Sequence, residues 1–271
     1  MMRLWLPVAI LLVWLVAALL GPLVSPAANR IALEQILAAP AAGAWLGHDE
    51  LGRPVLERLV AGARTSFLVA VSVVALSLVI GTFIGIVSAW LGGLWDHVIV
   101  RVTDVFLAFP GILLAIALAG ILGPGVENVV IALAAVGWVG FARLARAQAL
   151  SVKQREHVQA AIALGSRTPR ILWWHVLPLV SAPLIVEGTF AVAGVIIAEA
   201  GLSFLGLGVQ PPDASWGSII REGTRYMLVA PHLVLGPAAV LLAVVVSVNL
   251  LGDRLRDRMD VRGRDAAPSA V

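Results

Sequence analysis

Two carboxylates, Glu187 and Glu199, stand at the heart and the end of an otherwise apolar run and are the first chemical signal in this sequence. A carboxylate at membrane depth is costly to desolvate, so it marks a solute pathway, a proton relay or a pairing between neighbouring helices. Glu199 lies near the boundary of its run and reads as a structural or gating group at the external end. Glu187 reads either as a contact in a translocation pathway or as one partner of an interhelical pair. Arg101 and Asp104 stand at helical i, i+3 spacing and read as a structural ion pair. Trp90, Trp95 and Trp138 fit interfacial anchors better than an aromatic box for a substrate.

No catalytic group emerges. A phosphate-binding loop of the G-x-x-x-x-G-K-[ST] type needs lysine after glycine, and the only lysine, Lys153, follows Val152. The glycines Gly201, Gly206 and Gly208 have neither the spacing nor the lysine, and read as a tight turn or close helix packing. With no cysteine, and with His48, His97, His157, His175 and His232 scattered, no metal site is read either.

The most informative segment is Val158 to Pro178, VQAAIALGSRTPRILWWHVLP. Residues 159–164 favour a short helix, Gly165 can supply the left-handed residue that ends it, and Ile171 to Val176 can restart a helix before Pro178. On residues alone this compact helix–turn–helix is either a knob for a groove on a cytoplasmic partner or an ordinary solvated connector.

The elements that carry these residues follow from composition. Of 271 residues 60% are hydrophobic and 13% charged, and the mean hydropathy is +0.98; so apolar a chain needs lipid as its solvent. In hydrocarbon the backbone must satisfy itself, and long unbroken apolar runs select helices over barrel strands. Six spans are expected: Leu4 to Val24, Ser66 to Trp90, Val105 to Leu122, Asn128 to Ala142, Leu179 to Ala198 and His232 to Gly252. The first is read as a retained anchor and not a cleaved signal, because it is longer than a signal's apolar region. Pro54, Val55, Leu56, Leu59, Val60 and Ala63 form an apolar stripe that predicts a helix lying on the membrane surface. The tail after Asp265 reads as frayed.

Six spans put both termini on one face. Of the 19 lysines and arginines, 13 then fall on the side of the termini and 6 opposite, which makes the termini cytoplasmic. Basic residues sit between apolar runs and form no single face, which excludes a nucleic-acid partner. No internal repeat is seen, against what a proton-coupled carrier using Glu187 and Glu199 would show.

The 159–178 segment resembles the coupling loop of ABC importer membrane subunits, whose pattern is Glu-Ala-Ala, three residues, Gly, nine residues, an apolar residue, one more, then Leu-Pro. It falls here on Gln159, Ala160, Ala161, Gly165, His175, Leu177 and Pro178, with Gln159 in place of the family's glutamate. Further stretches are similar to the second permease subunit of the dipeptide, oligopeptide and nickel branch. They are GHDELGR (Gly47 to Arg53), GARTSF (Gly62 to Phe67), RVTDVFLAFPG (Arg101 to Gly111), GWVGFARLARAQAL (Gly137 to Leu150), EAGLSFLGLGVQPPDASWG (Glu199 to Gly217) and NLLGDRLRDRMDVR (Asn249 to Arg262). Pro54 and Glu187 depart from the family's usual residues.

The resemblance implies an all-α, polytopic type I ABC importer permease with six transmembrane helices. Its expected parts are an N-terminal anchor with an external segment (1–63), a transmembrane domain (64–253) with a coupling loop at 151–178, and a cytoplasmic tail (254–271). It further implies a second homologous permease, two cytoplasmic ATPase subunits that use ATP and magnesium, and an extracytoplasmic substrate-binding protein. This chain itself would bind no cofactor and would sit in the inner membrane.

Overall fold

The computed structural model describes residues 5–25 and 28–259, so the tail read as frayed lies outside the described residues. Their long elements are all helices: α1 (Trp5–Val24), α2 (Val55–Leu91), α3 (Gly93–Leu107), α4 (Gly111–Leu122) and α5 (Val126–Lys153), followed by α6 (Glu156–Ala163), α7 (Thr168–Ile171), α8 (Leu177–Phe204), α9 (Trp216–Thr224) and α10 (His232–Met259). Among the described residues extended pairing is limited to isolated bridges in the loop before α2.

Four helical stretches are long and apolar enough to cross a bilayer: Val55–Leu91, Val126–Lys153, Thr168–Phe204 and His232–Met259. The bent pair α3–α4 makes a fifth, and the shorter apolar α1 corresponds to the remaining run. The expected third span is therefore not one helix. Its two halves meet at 86°, because Pro110 lacks the N–H that would continue the helix and disfavours helical geometry at Phe109.

The expected surface helix at Pro54 to Ala63 is also corrected. It is the first part of α2, which runs without a break across the expected boundary between residues 63 and 64. No proline or glycine pair interrupts Arg64-Thr65-Ser66, and part of the stripe is covered by protein: Val55, Leu59 and Ala63 are buried with Trp14, Ile196, Trp216 and Leu233, while Leu56 is exposed. Similarly, α10 passes through the expected boundary at residue 253.

The frame of the bundle is the parallel pair α2–α5, brought together by small residues. A Cβ added to Gly81 would lie 2.7 Å from Cβ of Phe141 and in overlap with the Trp138 carbonyl oxygen; one on Gly85 would lie 2.9 Å from Cβ of Ala145. In lipid, where burial drives little association, such backbone approach is a principal source of helix affinity. Gly85→Val is therefore expected to lower stability by about 1–3 kcal/mol, as overpacking does, seen as an earlier thermal unfolding of the detergent-solubilised protein. Trp138 packs α5 against α3: its ring meets Phe106 edge-on at 5.7 Å and its Nε1 donates to the Ala135 carbonyl at 3.1 Å.

Candidate functional site

The knob grows out of the end of α5. After Lys153 the chain turns through Gln154 and Arg155 into α6, whose end is closed by a full Schellman motif: Ser166 N donates to Ala161 O at 3.1 Å and Gly165 N to Ile162 O at 2.9 Å. That motif demands a left-handed residue, and Gly165 supplies it with φ +75°. The second helix starts at Thr168, earlier than Ile171, with Pro169 in its first turn.

Pro178 does not end that helix, as the sequence suggested. The backbone widens into a π-helical turn over Leu172–Val176, in which Leu177 N donates to Leu172 O, and then runs on as α8. The wider turn accommodates a proline that has no N–H to give to the preceding turn.

The knob is fixed to the spans from below. Val158, Ala161, Ile171 and Val176 are buried in one cluster with Ile86 and Ala89 of α2, Ala145, Ala149 and Val152 of α5, and Val180 and Leu184 of α8. A side chain locked between three spans transmits displacement, since a close-packed interior repacks between discrete states and does not flow. The opposite face is open: Leu164 is 86% exposed and Ile162 40% exposed, beside exposed Ala160, Ala163 and Gly165. Lys153 ties the base of the knob to α2, donating to the Trp90 carbonyl at 2.9 Å with its ammonium 5.1 Å from the Trp90 ring centroid. His157 and His175 bring their rings to 6.1 Å across the two arms of the knob.

Gln159 donates from Nε2 to the Lys153 carbonyl at 2.7 Å, a bond that a glutamate could not make, because an ionised carboxylate only accepts. Gln159→Glu is accordingly expected to loosen the start of α6 by about 1 kcal/mol, read as faster amide hydrogen exchange in α6 than in the native chain.

Glu199 is 1% exposed and is held by hydroxyls: Ser66 Oγ of α2 donates to it at 3.0 Å and Ser203 Oγ at 2.7 Å. Ser203 Oγ in turn accepts from Val209 N at 3.3 Å, so this carboxylate ties α8 to α2 and to the segment that follows α8. Glu187 lies about 18 Å away along the same helix, from twelve residues at the usual helical rise. Its side chain is exposed and lines a groove with Arg256 and Phe190. The two acids are thus in unlike settings and do not form a relay.

Comparison with known proteins bears on what such a bundle is. Residues 78–264 match the family described as the binding-protein-dependent transport system inner membrane component. The chain belongs to that family. This permease is 38% identical over 234 residues to the glutathione transport system permease protein GsiD of Pectobacterium atrosepticum, covering 86% of the chain and 78% of that protein. It is 40% identical over 224 residues to the dipeptide transport system permease protein DppC of Alkalihalophilus pseudofirmus, covering 83% and 74%. In fold it is similar to a chain of the methionine ABC transporter MetNI in an inward-facing conformation, with TM-score 0.56, 17% identity, and coverage of 76% of the permease and 96% of that chain. It is an all-α, multi-pass inner-membrane permease with the type I importer fold, and the proton-coupled carrier has no support.

Two features of the permease escaped sequence reasoning. At the end of the bundle opposite the knob, Asp49 accepts from Arg53 Nε at 2.7 Å and from Arg58 at 2.8 Å, and Glu222 of α9 accepts from both arginines. Asp49 also caps its own loop, taking the amides of Leu51 and Arg53 at 2.9 Å each. At the knob end, Arg146 of α5 grips Asp96 of α3 with Nε and a terminal nitrogen, both at 2.6 Å, while Ser88 donates to the same carboxylate at 2.7 Å.

This second pair replaces the expected one. Arg101 and Asp104 are both exposed on α3 and make no ion pair with each other among the described residues. An exposed pair gains too little to hold two long side chains in one geometry. The signal that could have found Asp96 is its place in the first turn of a helix that follows Gly92-Gly93, where a carboxylate suits the helix dipole.

Proposed function

We propose that this permease forms half of the translocation pathway of an ATP-driven importer for peptides or similar small solutes, nickel complexes included, and that residues 159–178 receive the stroke of a separate ATPase. The observation that carries this reading is the knob itself: Gln159, Ala160, Ala161, Gly165, His175, Leu177 and Pro178 build an element closed by a Schellman turn, anchored in the ends of three spans and bare on its outer face. A lever must be stiff, because a slack connection would dissipate the stroke before it reached the helices.

In this reading a second homologous permease completes the pore, two cytoplasmic ATPase subunits bind ATP and magnesium, and an extracytoplasmic binding protein delivers the cargo. Closure of the ATPase pair on ATP moves the knobs and rocks the spans to open the pore outward; hydrolysis resets it. The knob and both termini face the cytoplasm, in keeping with the 13 to 6 division of lysine and arginine. Glu199 holds α2 and α8 together at the external end, and Glu187 contacts the pathway.

Uptake into vesicles that carry the complete transporter tests it. Uptake that requires ATP and the ATPase subunits is the expected result; uptake sustained by a proton gradient without them would contradict the proposal.

A further inference from the structure

We propose that Glu187 and Arg256 form a two-charge station for cargo inside the permease, Glu187 taking the cationic end and Arg256 the anionic end of one zwitterionic solute. This rests on the importer reading above and gives it a site that selects by charge.

The two side chains line one groove of about 530 Å³, walled by Pro183, Val186 and Phe190 of α8, Leu144 of α5 and Met259 of α10. That volume lies within the ~300–1,000 Å³ typical of small-solute sites. Both charges are exposed to the groove, and neither makes an ion pair or a side-chain hydrogen bond among the described residues, although they sit on neighbouring helices. Among the described residues the strongly buried charges have partners: Arg58 has two carboxylates and Glu199 two serine hydroxyls.

Two opposite charges left apart in one apolar-walled groove fit a ligand that comes between them and pairs with both. An ammonium end meets the Glu187 carboxylate, while the aromatic and methionine walls suit a variable side chain.

The test uses the complete transporter in proteoliposomes with its binding protein, and three probes: L-alanyl-L-alanine, its N-acetyl form and its C-terminal amide. Correct assembly of each variant with the ATPase subunits is checked by size-exclusion chromatography. Glu187→Gln is expected to lower uptake of the free dipeptide at limiting concentration about tenfold, the loss of one charge-assisted contact, and uptake of the N-acetyl form less than about twofold. Arg256→Gln should show the mirror pattern with the amide. Where the native transporter refuses the capped peptides, the free dipeptide alone decides.

Undiminished uptake of the free dipeptide by both variants would overturn the station and leave the importer reading intact. So would equal losses for all three probes. Restoration of all uptake by the swap Glu187→Arg with Arg256→Glu would overturn it in favour of a mutual latch. A native transporter that moves none of the probes with ATP would remove the peptide-importer reading first, and the station with it.

Discussion

Ala160→Asp is expected to abolish cargo-stimulated ATP hydrolysis by the assembled transporter while the permease still inserts and folds. Ala160 is exposed on α6, on the face it shares with Ala163 and Leu164 at i+3 and i+4. A carboxylate there stays solvated in the free permease and costs little. Once the face is seated in a partner's groove, that carboxylate is desolvated and unpaired, a penalty of several kcal/mol that weakens docking by orders of magnitude.

A series at Gly165 separates stiffness from docking. Nothing lies within 4 Å of a Cβ placed on Gly165, so no substitution clashes, and all damage comes from the left-handed φ of +75°. Coupled hydrolysis should fall in the order Gly, Asn, Ala, Val. Asn tolerates that region best among residues with side chains, and a β-branched residue is strained by roughly 1–2 kcal/mol. Full coupling in Gly165→Val, measured as ATP hydrolysed per solute imported, would mean that the Schellman turn is not part of the lever.

Arg58→Met should be the most destabilising single change in the permease, by about 3–5 kcal/mol. Arg58 is 1% exposed and bonded to both Asp49 and Glu222. Its loss leaves two carboxylates sharing only Arg53 in a partly buried pocket closed by Val55, Ile219 and Leu233. Adding Glu222→Leu to Arg58→Met should recover part of the loss, because burying apolar groups in place of an ion pair is commonly neutral or better. Thermal unfolding in detergent measures both; a single variant as stable as native would show that the cluster contributes nothing to the fold.

The reach of the sequence is clearest where physics acts locally. Gly165, Ala160 and Ala161 announce a helix end at that spacing, and the structure closes α6 there. Hydropathy located the apolar runs but not the helix ends: the run that ends at Ala142 belongs to a helix that continues to Lys153, and α10 passes Gly252 to reach Met259. Apolarity reports where lipid stops, whereas the helix continues into water as long as its backbone is satisfied.

Pro110 was visible as punctuation inside RVTDVFLAFPG, but apolar residues on both sides of it masked a right-angled break. The ion cluster at the end opposite the knob was not legible at all. Arg58 and Glu222 are 164 residues apart, and only the packing of α9 onto α2 brings them together. The same holds for Asp96 and Arg146, 50 residues apart. A run of helical spacing suggested Arg101 with Asp104 instead, because local periodicity is all that a single chain displays before it folds.

The chain contains no cysteine, so one introduced at Leu164 is unique in this subunit, and its 86% exposure makes it reactive. Crosslinking of Leu164→Cys in the assembled transporter is the most direct measurement of how the permease is driven. The account predicts a covalent adduct with the ATP-hydrolysing subunit whose yield changes when ATP is bound. An adduct only with an external protein, or labelling of that cysteine by an impermeant reagent from outside the cell, would contradict it.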